Sequence, residues 1–239
     1  MNVETYLFDC MDSHTIGYYQ ENAASLTEHY ESADMSDIHT QLLKHLPEKG
    51  SILEIGCGSG REAAFLLRSG FDVTAVDASA KMLSCAVRQH PELEGRTHCF
   101  VFPFRHENPL LSKQFDGVIV IASLMHIPDQ YLPECASQFR HLLSANGVLF
   151  VSASRGRQNI TDRRDSDGRL FIERSPDELR HFFRKAGFGV IDFYENEDSL
   201  HRLVQWFSIV LRVEKGMVSD NDRLANTESY TTCNISLRI

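Results

Sequence analysis

The chain has 239 residues, of which 42% are apolar, and this length and composition suit one domain with an ample core. Acidic residues outnumber basic ones by 33 to 24, a net charge of −9, which disfavours a nucleic-acid partner because a polyanion needs clustered Lys and Arg. No apolar run reaches the roughly 18 residues of a membrane span, and residues 1–10 lack the pattern of a secretion signal. The six cysteines are scattered without zinc spacing, so we expect a cytoplasmic protein with reduced thiols and no metal site.

The first two thirds of the chain alternate between helical and strand-like segments. Residues 18–46 are typical of one or two helices that pack on a sheet edge or over a ligand mouth. Short apolar runs then predict strands at 51–55, 71–77, 97–102 and 115–122, with helices at 61–70 and 79–90 between the first three. A helix at 133–144, a turn at Asn146-Gly147 and a strand at 148–153 follow. This alternation predicts an α/β fold with a parallel sheet.

The remaining third has a different character. Residues 154–174 are polar, rich in arginine and without periodicity, which is typical of a long functional loop. Ser175-Pro176-Asp177-Glu178 is a capping box that predicts a helix over 176–186, and two apolar runs at 188–195 and 203–211 predict a closing antiparallel hairpin. We expect a single domain over residues 1–216, built of a helical lid (14–46), a ligand-binding core (47–153) and a substrate loop, helix and hairpin (154–216), with a tail at 217–239 that is partly flexible.

The glycine-rich turn between the first strand and the following helix indicates a nucleotide-like ligand. Gly56, Gly58 and Gly60 form G-x-G-x-G, which fails the G-x-G-x-x-G dinucleotide fingerprint by one residue, and no Lys-Ser/Thr pair follows to make a P-loop. Glu54 precedes the turn and Asp77 closes the next strand. A carboxylate at the second position can accept two hydrogen bonds from ribose hydroxyls, which favours a nucleoside ligand.

This arrangement resembles the class I S-adenosylmethionine-dependent methyltransferases of the bacterial small-molecule type. The resemblance extends over residues 18–215 through YYQENA, ILEIGCGSGR, VTAVDAS, FDGVIVIASLMHIP, LLSANGVLFVS, DGRLF and HRLVQWFSIVL. It implies a Rossmann-like doubly wound sheet of seven strands in the order 3-2-1-4-5-7-6 with the seventh antiparallel. It also implies S-adenosyl-L-methionine as the cofactor and a small molecule as the methyl acceptor.

The resemblance assigns a set of cofactor-binding positions. These are Tyr19, Glu54, Gly56, Cys57, Gly58, Arg61, Asp77, Ala78, Met82, Phe104, Ala122 and Ser123. The glycine loop would wrap the methionine portion, Asp77 would bind the ribose, and Ala78 and Met82 would line the adenine. Core packing is the alternative for Met82, and a solvated helix position is the alternative for Arg61. The segment FVFPF lacks the acidic residue that many members place after the third strand, so Phe102 and Phe104 would pack against the base instead.

Candidate acceptor-side residues lie after the fourth strand and in the arginine-rich loop. His126 is expected near the transferred methyl group as a general base or as an orienting group, with simple packing as its alternative. The predicted substrate contacts are Tyr18, Arg157, Arg169, Arg202 and Trp206. A hydrophobic anchor of the helix is the alternative for Tyr18 and Tyr19, and core packing is the alternative for Trp206. Most loop arginines are expected to pair with acidic neighbours, while Arg169 is expected to hold an anionic acceptor.

Three functional hypotheses follow. Methyl transfer from S-adenosylmethionine to a small acceptor is the leading one, and a cofactor-binding regulatory or partner protein is its rival. Within methyl transfer, a macromolecular acceptor stays an alternative, of which the charge balance disfavours only nucleic acid. An NAD-dependent oxidoreductase is disfavoured by the glycine spacing.

Overall fold

The computed structural model describes residues 12–198 and 204–214. Seven strands form one sheet in the order β3-β2-β1-β4-β5-β7-β6. Their bounds are β1 Ser51–Ile55, β2 Asp72–Asp77, β3 Thr97–Cys99, β4 Phe115–Ile121, β5 Leu143–Arg155, β6 Phe188–Asn196 and β7 Gln205–Val213. The first five strands pair in parallel, whereas β7 is antiparallel to both β5 and β6. The predicted strand order and the antiparallel β7 are therefore confirmed.

Helices cover both faces of this sheet. The described residues form α1 Ser13–Glu21, α2 Ala23–Glu31, α3 Ser36–His45, α4 Arg61–Arg68, α5 Ala80–Gln89, α6 Leu132–Leu142 and α7 Pro176–Lys185. Leu42 of α3, Ala63 of α4 and Leu83 of α5 belong to the core on one face, and Phe139 of α6 and Phe183 of α7 belong to the core on the other. Because both faces of the central strands are covered, the sheet opens to ligands at the carboxyl ends of its strands.

Residues 12–46 contain three helices, whereas one or two were predicted over residues 18–46. Asp12 starts α1 as its N-cap, accepting a hydrogen bond from the Thr15 N–H at 2.9 Å. Asn22 separates α1 from α2, and its side-chain amide donates to the Tyr18 carbonyl at 2.9 Å. The chain breaks again near Asp34, whose carboxylate accepts a hydrogen bond from the Ser36 N–H at 2.9 Å as α3 begins. Short polar side chains that bond to nearby backbone groups start or end helices in this way, and residue periodicity does not reveal it.

Two predicted strand boundaries are wrong by three residues or more, and two predicted features are confirmed. Strand β3 ends at Cys99 instead of residue 102, and β5 begins at Leu143 because that residue pairs with Phe115 of β4; Asn146-Gly147 lies in an irregularity of β5, between the pairs Phe115–Leu143 and Gly117–Val148. The closing hairpin of β6 and β7 and the capping box at the start of α7 are present as predicted. Residues 156–175 form a long loop, in which the described backbone pairs only at isolated bridges.

No helix within the described ranges is both long enough and apolar enough to cross a membrane.

Candidate cofactor and acceptor site

A cavity of about 470 Å³ opens at the carboxyl ends of β1, β2, β4 and β5. The glycine loop between β1 and α4 forms one wall, and it folds back on β2 because the N–H groups of Gly56 and Cys57 donate to the Val76 carbonyl at 2.8 and 3.0 Å. Gly56 has φ +76°, and a Cβ atom there would lie 2.5 Å from the Cβ of Ser123. Gly58 has φ +54° with no atom closer than 3.8 Å to such a Cβ, so backbone conformation alone requires glycine there.

Asp77 joins the glycine loop to the first turn of α5. Its Oδ2 accepts a hydrogen bond from the Gly58 N–H at 2.9 Å, and its Oδ1 accepts one from the Ser79 N–H at 2.8 Å. Burial raises the pKa of Asp77 above its ordinary value, although these backbone donors oppose the shift. Each oxygen keeps a further lone pair, and the carboxylate lines the cavity, so it can accept two hydrogen bonds from neighbouring hydroxyls of a ligand.

Two buried carboxyl groups lie at the end of β1 and the start of α4. Glu54 is 2% exposed and lines the cavity, and its Oε2 has no hydrogen-bond partner among the described residues. Burial and the neighbouring Glu62 raise the pKa of Glu54 well above its ordinary value. Burial acts to raise the pKa of Glu62 too, but the Arg61 guanidinium at 2.6 Å and the His39 ring at 3.7 Å outweigh it and lower this pKa, so Glu62 is the ionised member of the pair. Arg61 also donates to the Tyr30 carbonyl, which fixes its guanidinium at the cavity wall.

The far wall of the cofactor side is aromatic. Ala78, Phe100 and Phe102 line the cavity, but Phe104 is fully buried and packs edge-on behind Phe102 at 5.1 Å between ring centroids. Because β3 ends at Cys99, the alternation of a strand does not extend to residue 104. The assignment of Phe104 to the ligand therefore disagrees with its position.

Met82 also departs from its predicted position. It is fully buried with Ala23 and Cys85 and does not line the cavity, which agrees with the core-packing alternative.

His126 lies where β4 opens into a short turn, and both of its ring nitrogens are engaged. Its Nδ1 is 2.6 Å from the carbonyl oxygen of Leu170, and its Nε2 is 3.0 Å from the hydroxyl of Tyr19. A carbonyl can only accept, so Nδ1 carries the proton and Nε2 accepts a hydrogen bond from Tyr19. His126 is 4% exposed, and this burial lowers its pKa from 6.5 to about 4, so the imidazole is neutral at physiological pH.

The short turn after β4 contributes two more cavity residues. Ala122 has φ +53°, an uncommon conformation for a residue with a side chain, and Ser123 donates its hydroxyl to the Ile55 carbonyl at 3.1 Å. Both were predicted, as were the cavity-lining Tyr19, Cys57 and Trp206. The Trp206 indole N–H donates to Asp198 at 3.2 Å.

The arginine-rich loop is held by ion pairs. Arg169 is 9% exposed and contacts Asp165 through Nε at 2.8 Å and Nη2 at 2.7 Å. Arg157 also approaches Asp165, at 3.4 Å, and stacks over Phe171 at 4.6 Å. Both guanidinium groups line the cavity but share one carboxylate. The other described arginines of the loop pair with acidic side chains: Arg155 with Glu195, Arg163 and Arg174 with Asp129, and Arg164 with Asp12.

The lid helix α1 and this loop cover the cavity together. Asp12 accepts two hydrogen bonds from Arg164 at 2.7 and 2.9 Å, and the Leu170 N–H donates to the Thr15 hydroxyl at 2.8 Å. Tyr18 donates to Asp167 at 3.1 Å and does not line the cavity, so its predicted contact with the acceptor is replaced by a contact within the cover. The predicted contact Arg202 and the tail at 217–239 lie outside the described residues.

Several residues that line the cavity were not predicted from the sequence, among them Tyr30, Ser79 and Phe100. Phe100 could have been predicted, because it lies in the aromatic segment FVFPF. No sequence pattern indicated Tyr30, because its position over Gly58 depends on how α2 packs. Within the described ranges, no group of three or more His, Cys, Asp or Glu side chains is arranged to hold a metal ion.

Comparison with known proteins agrees with this geometry. Residues 27–205 match a family model described as a methyltransferase domain. A ubiquinone biosynthesis O-methyltransferase of Cereibacter sphaeroides is 30% identical over 164 residues, which are 62% of this chain and 64% of that protein. The chain spans about half the length of the curated relatives it matches.

Solved structures share the fold. A 1,6-didemethyltoxoflavin-N1-methyltransferase of Burkholderia thailandensis, with S-adenosylhomocysteine bound, superposes with a TM-score of 0.67 at 19% identity and covers 90% of this chain and 92% of its own. The 4+2 cyclase SpnF superposes with a TM-score of 0.56 at 15% identity, covering 75% and 81%. With most of its length matched by the family model, this chain belongs to the methyltransferase-domain family.

Proposed function

We propose that this protein transfers a methyl group from S-adenosylmethionine to a small-molecule acceptor and releases S-adenosylhomocysteine. The observation that carries this proposal is Asp77, a carboxylate at the end of β2 that two backbone N–H groups orient toward the cavity beside the glycine loop. A pair of neighbouring ribose hydroxyls matches its two free lone pairs. The family membership supports the same chemistry.

The cavity supports this cofactor by its size and its lining. Its volume of about 470 Å³ lies within the usual range for a small-ligand site. The glycine loop would take the methionine portion, and the unpartnered Oε2 of Glu54 and the guanidinium of Arg61 would meet its ammonium and carboxylate groups. Ala78 and Phe102 would line the adenine. The bound cofactor supplies a methyl group on a positively charged sulfonium, which any aligned nucleophile can attack.

The protein's own contribution is alignment and exclusion of water. The cover formed by α1 and the arginine-rich loop closes over the acceptor end, and positioning of two reactants supplies several kcal/mol of rate acceleration. His126 with a pKa of about 4 is a poor match for a general base at neutral pH. We therefore assign it the orienting role.

The acceptor is a small molecule that fits beside Phe171 and Trp206. Its anionic nature stays a prediction: Arg157 and Arg169 reach the cavity, but Asp165 lies against both. Pairs of acceptors that differ only as a carboxylic acid and its amide test this point. The cytoplasmic location and the single-domain division of residues 1–216 stay predictions as well.

The test is turnover with methyl-labelled S-adenosylmethionine and a metabolite extract. We expect S-adenosylhomocysteine and one labelled small molecule to form together, and Asp77→Asn to slow both. Asp72→Asn, an exposed carboxylate on the same strand, is the matched control and should leave both unchanged. Labelling of protein or nucleic acid alone would contradict a small acceptor.

A second candidate is a cofactor-binding protein that does not transfer the methyl group. One observation favours it, because a protein named as a cyclase has the same fold, so the fold by itself does not require methyl transfer. Tight S-adenosylhomocysteine binding, without product from any fraction of the extract, would favour this candidate.

A further inference from the structure

The hydroxyl of Tyr19 lies among cavity-facing groups from four parts of the fold. His126 follows β4, Arg169 belongs to the loop, Tyr30 belongs to α2, and Tyr19 itself belongs to α1. The hydroxyl is 3.0 Å from His126 Nε2 and 3.3 Å from Arg169 Nη1, and the Tyr30 side chain lies beside it. All four side chains line the same cavity.

The Leu170 carbonyl decides which groups of this cluster donate and which accept hydrogen bonds. Leu170 can only accept, so His126 donates through Nδ1 and has a lone pair on Nε2. Tyr19 must then donate its single proton to His126, and burial raises the pKa of Tyr19 well above its ordinary value, so that proton stays on the phenol. The Tyr19 oxygen therefore presents lone pairs, and no proton, to the rest of the cavity.

We propose that Tyr19 positions the acceptor by accepting a hydrogen bond from the N–H or O–H group of the atom to be methylated, and that His126 orients Tyr19 for this. The inference rests on the proposed function and narrows its substrate class to acceptors that carry a hydrogen-bond donor. The aromatic walls Phe171 and Trp206 suit a ring that bears this donor. His126 acts through Tyr19, so it is a positioning residue.

Arg169 and Tyr30 are the other groups at this oxygen. The Arg169 contact, at 3.3 Å, is at the long end of hydrogen-bond distances, because the guanidinium is drawn toward Asp165 by two shorter contacts. The Tyr30 hydroxyl can donate or accept, so it can turn away when a ligand donor arrives. An incoming N–H or O–H can then bond to Tyr19.

The experiment measures binding of phenol and anisole to the protein saturated with S-adenosylhomocysteine, by ligand-detected NMR. The two probes share a ring, and only phenol has a donor. We expect phenol to bind roughly three- to tenfold more tightly than anisole, the range of one net hydrogen bond. Tyr19→Phe should remove this preference, whereas Tyr18→Phe, whose hydroxyl bonds to Asp167 away from the cavity, should keep it.

The variant His126→Asn distinguishes an orienting role of His126 from a merely structural one. Asparagine can keep the donor to Leu170 but cannot reach Tyr19, which frees the Tyr19 proton to turn toward the ligand. We then expect anisole, which can accept a hydrogen bond, to gain affinity until the preference for phenol falls below twofold. Equal binding of the probes to the parent protein, or an unchanged preference in Tyr19→Phe, would overturn the inference. S-adenosylhomocysteine affinity, measured on the same variants, separates this failure from failure of the proposed function.

Discussion

The cofactor side and the acceptor side of the cavity are built by different kinds of interaction. On the cofactor side, backbone groups of the glycine loop bond to β2 and to Asp77 at its end, so the geometry follows from consecutive strands of a parallel sheet. On the acceptor side, side chains from α1, the turn after β4 and the arginine-rich loop bond to one another. One half of the site is therefore specified by segments that follow one another in the chain, and the other half by contacts between segments that are far apart in the chain.

The largest expected effect is at the backbone of the cofactor side. Gly56→Ala adds a Cβ 2.5 Å from Ser123 at φ +76°, and we expect roughly 2 to 5 kcal/mol of strain, enough to abolish measurable S-adenosylhomocysteine binding. Titration calorimetry and thermal unfolding measure both effects. Gly70→Ala, at φ +94° with no atom within 4 Å, should lower stability by about 1 to 2 kcal/mol and leave binding intact.

The next effect concerns Asp77. Asp77→Asn removes the charge that orders the glycine loop and replaces one acceptor oxygen by a donor, so S-adenosylhomocysteine affinity should fall by about 1.5 to 3 kcal/mol, roughly 10- to 150-fold. Calorimetry checks this, with Asp72→Asn as the control. Equal affinity of parent and variant would mean that β2 does not hold the ligand.

The third expected effect is on the acceptor side, where His126 should make the free energy of unfolding depend on pH. The pKa of His126 is lowered from 6.5 to about 4 in the folded chain, so the unfolded chain takes up a proton first as pH falls, and stability is lost between these values. From about pH 7 to about pH 5 the loss should reach roughly 2 kcal/mol. Denaturant unfolding of His126→Gln should remove this component. A parent-like curve from His126→Gln would contradict the assignment.

The smallest expected effect is at the contact between helix α1 and the arginine-rich loop. Arg164→Ala removes the paired hydrogen bonds to Asp12, and since Arg164 is partly exposed we expect about 0.5 to 1 kcal/mol, seen as a two- to fivefold faster release of S-adenosylhomocysteine in stopped flow. Arg68→Ala, which breaks a surface pair with Glu92, serves as control. An unchanged release rate would show that the cover does not gate the cofactor.

The same division explains what the sequence could reveal. The glycine spacing and Asp77 were predictable because each depends on apolar runs and turn residues near one another in the chain, whereas the strand order, which pairs β1 with the distant β4, was implied by the family resemblance. The role of His126 was left between base and orienting group, because its neighbours Tyr19 and Leu170 are 107 and 44 residues away. Arg169 was assigned to an acceptor anion because a turn and an apolar anchor flank it, and its ion pair with Asp165 could not be distinguished in the sequence from pairs with the other acids of the loop.

A crystal structure with S-adenosylhomocysteine bound tests the central claim most directly, because it locates both halves of the site at once. We expect the ribose hydroxyls within hydrogen-bond distance of Asp77, the amino-acid portion along the glycine loop, and the sulfur facing the space between Tyr19, His126 and Phe171. A ligand bound elsewhere, or one whose sulfur points away from Tyr19 and His126, would contradict the proposal that this cavity aligns a methyl donor with a small acceptor.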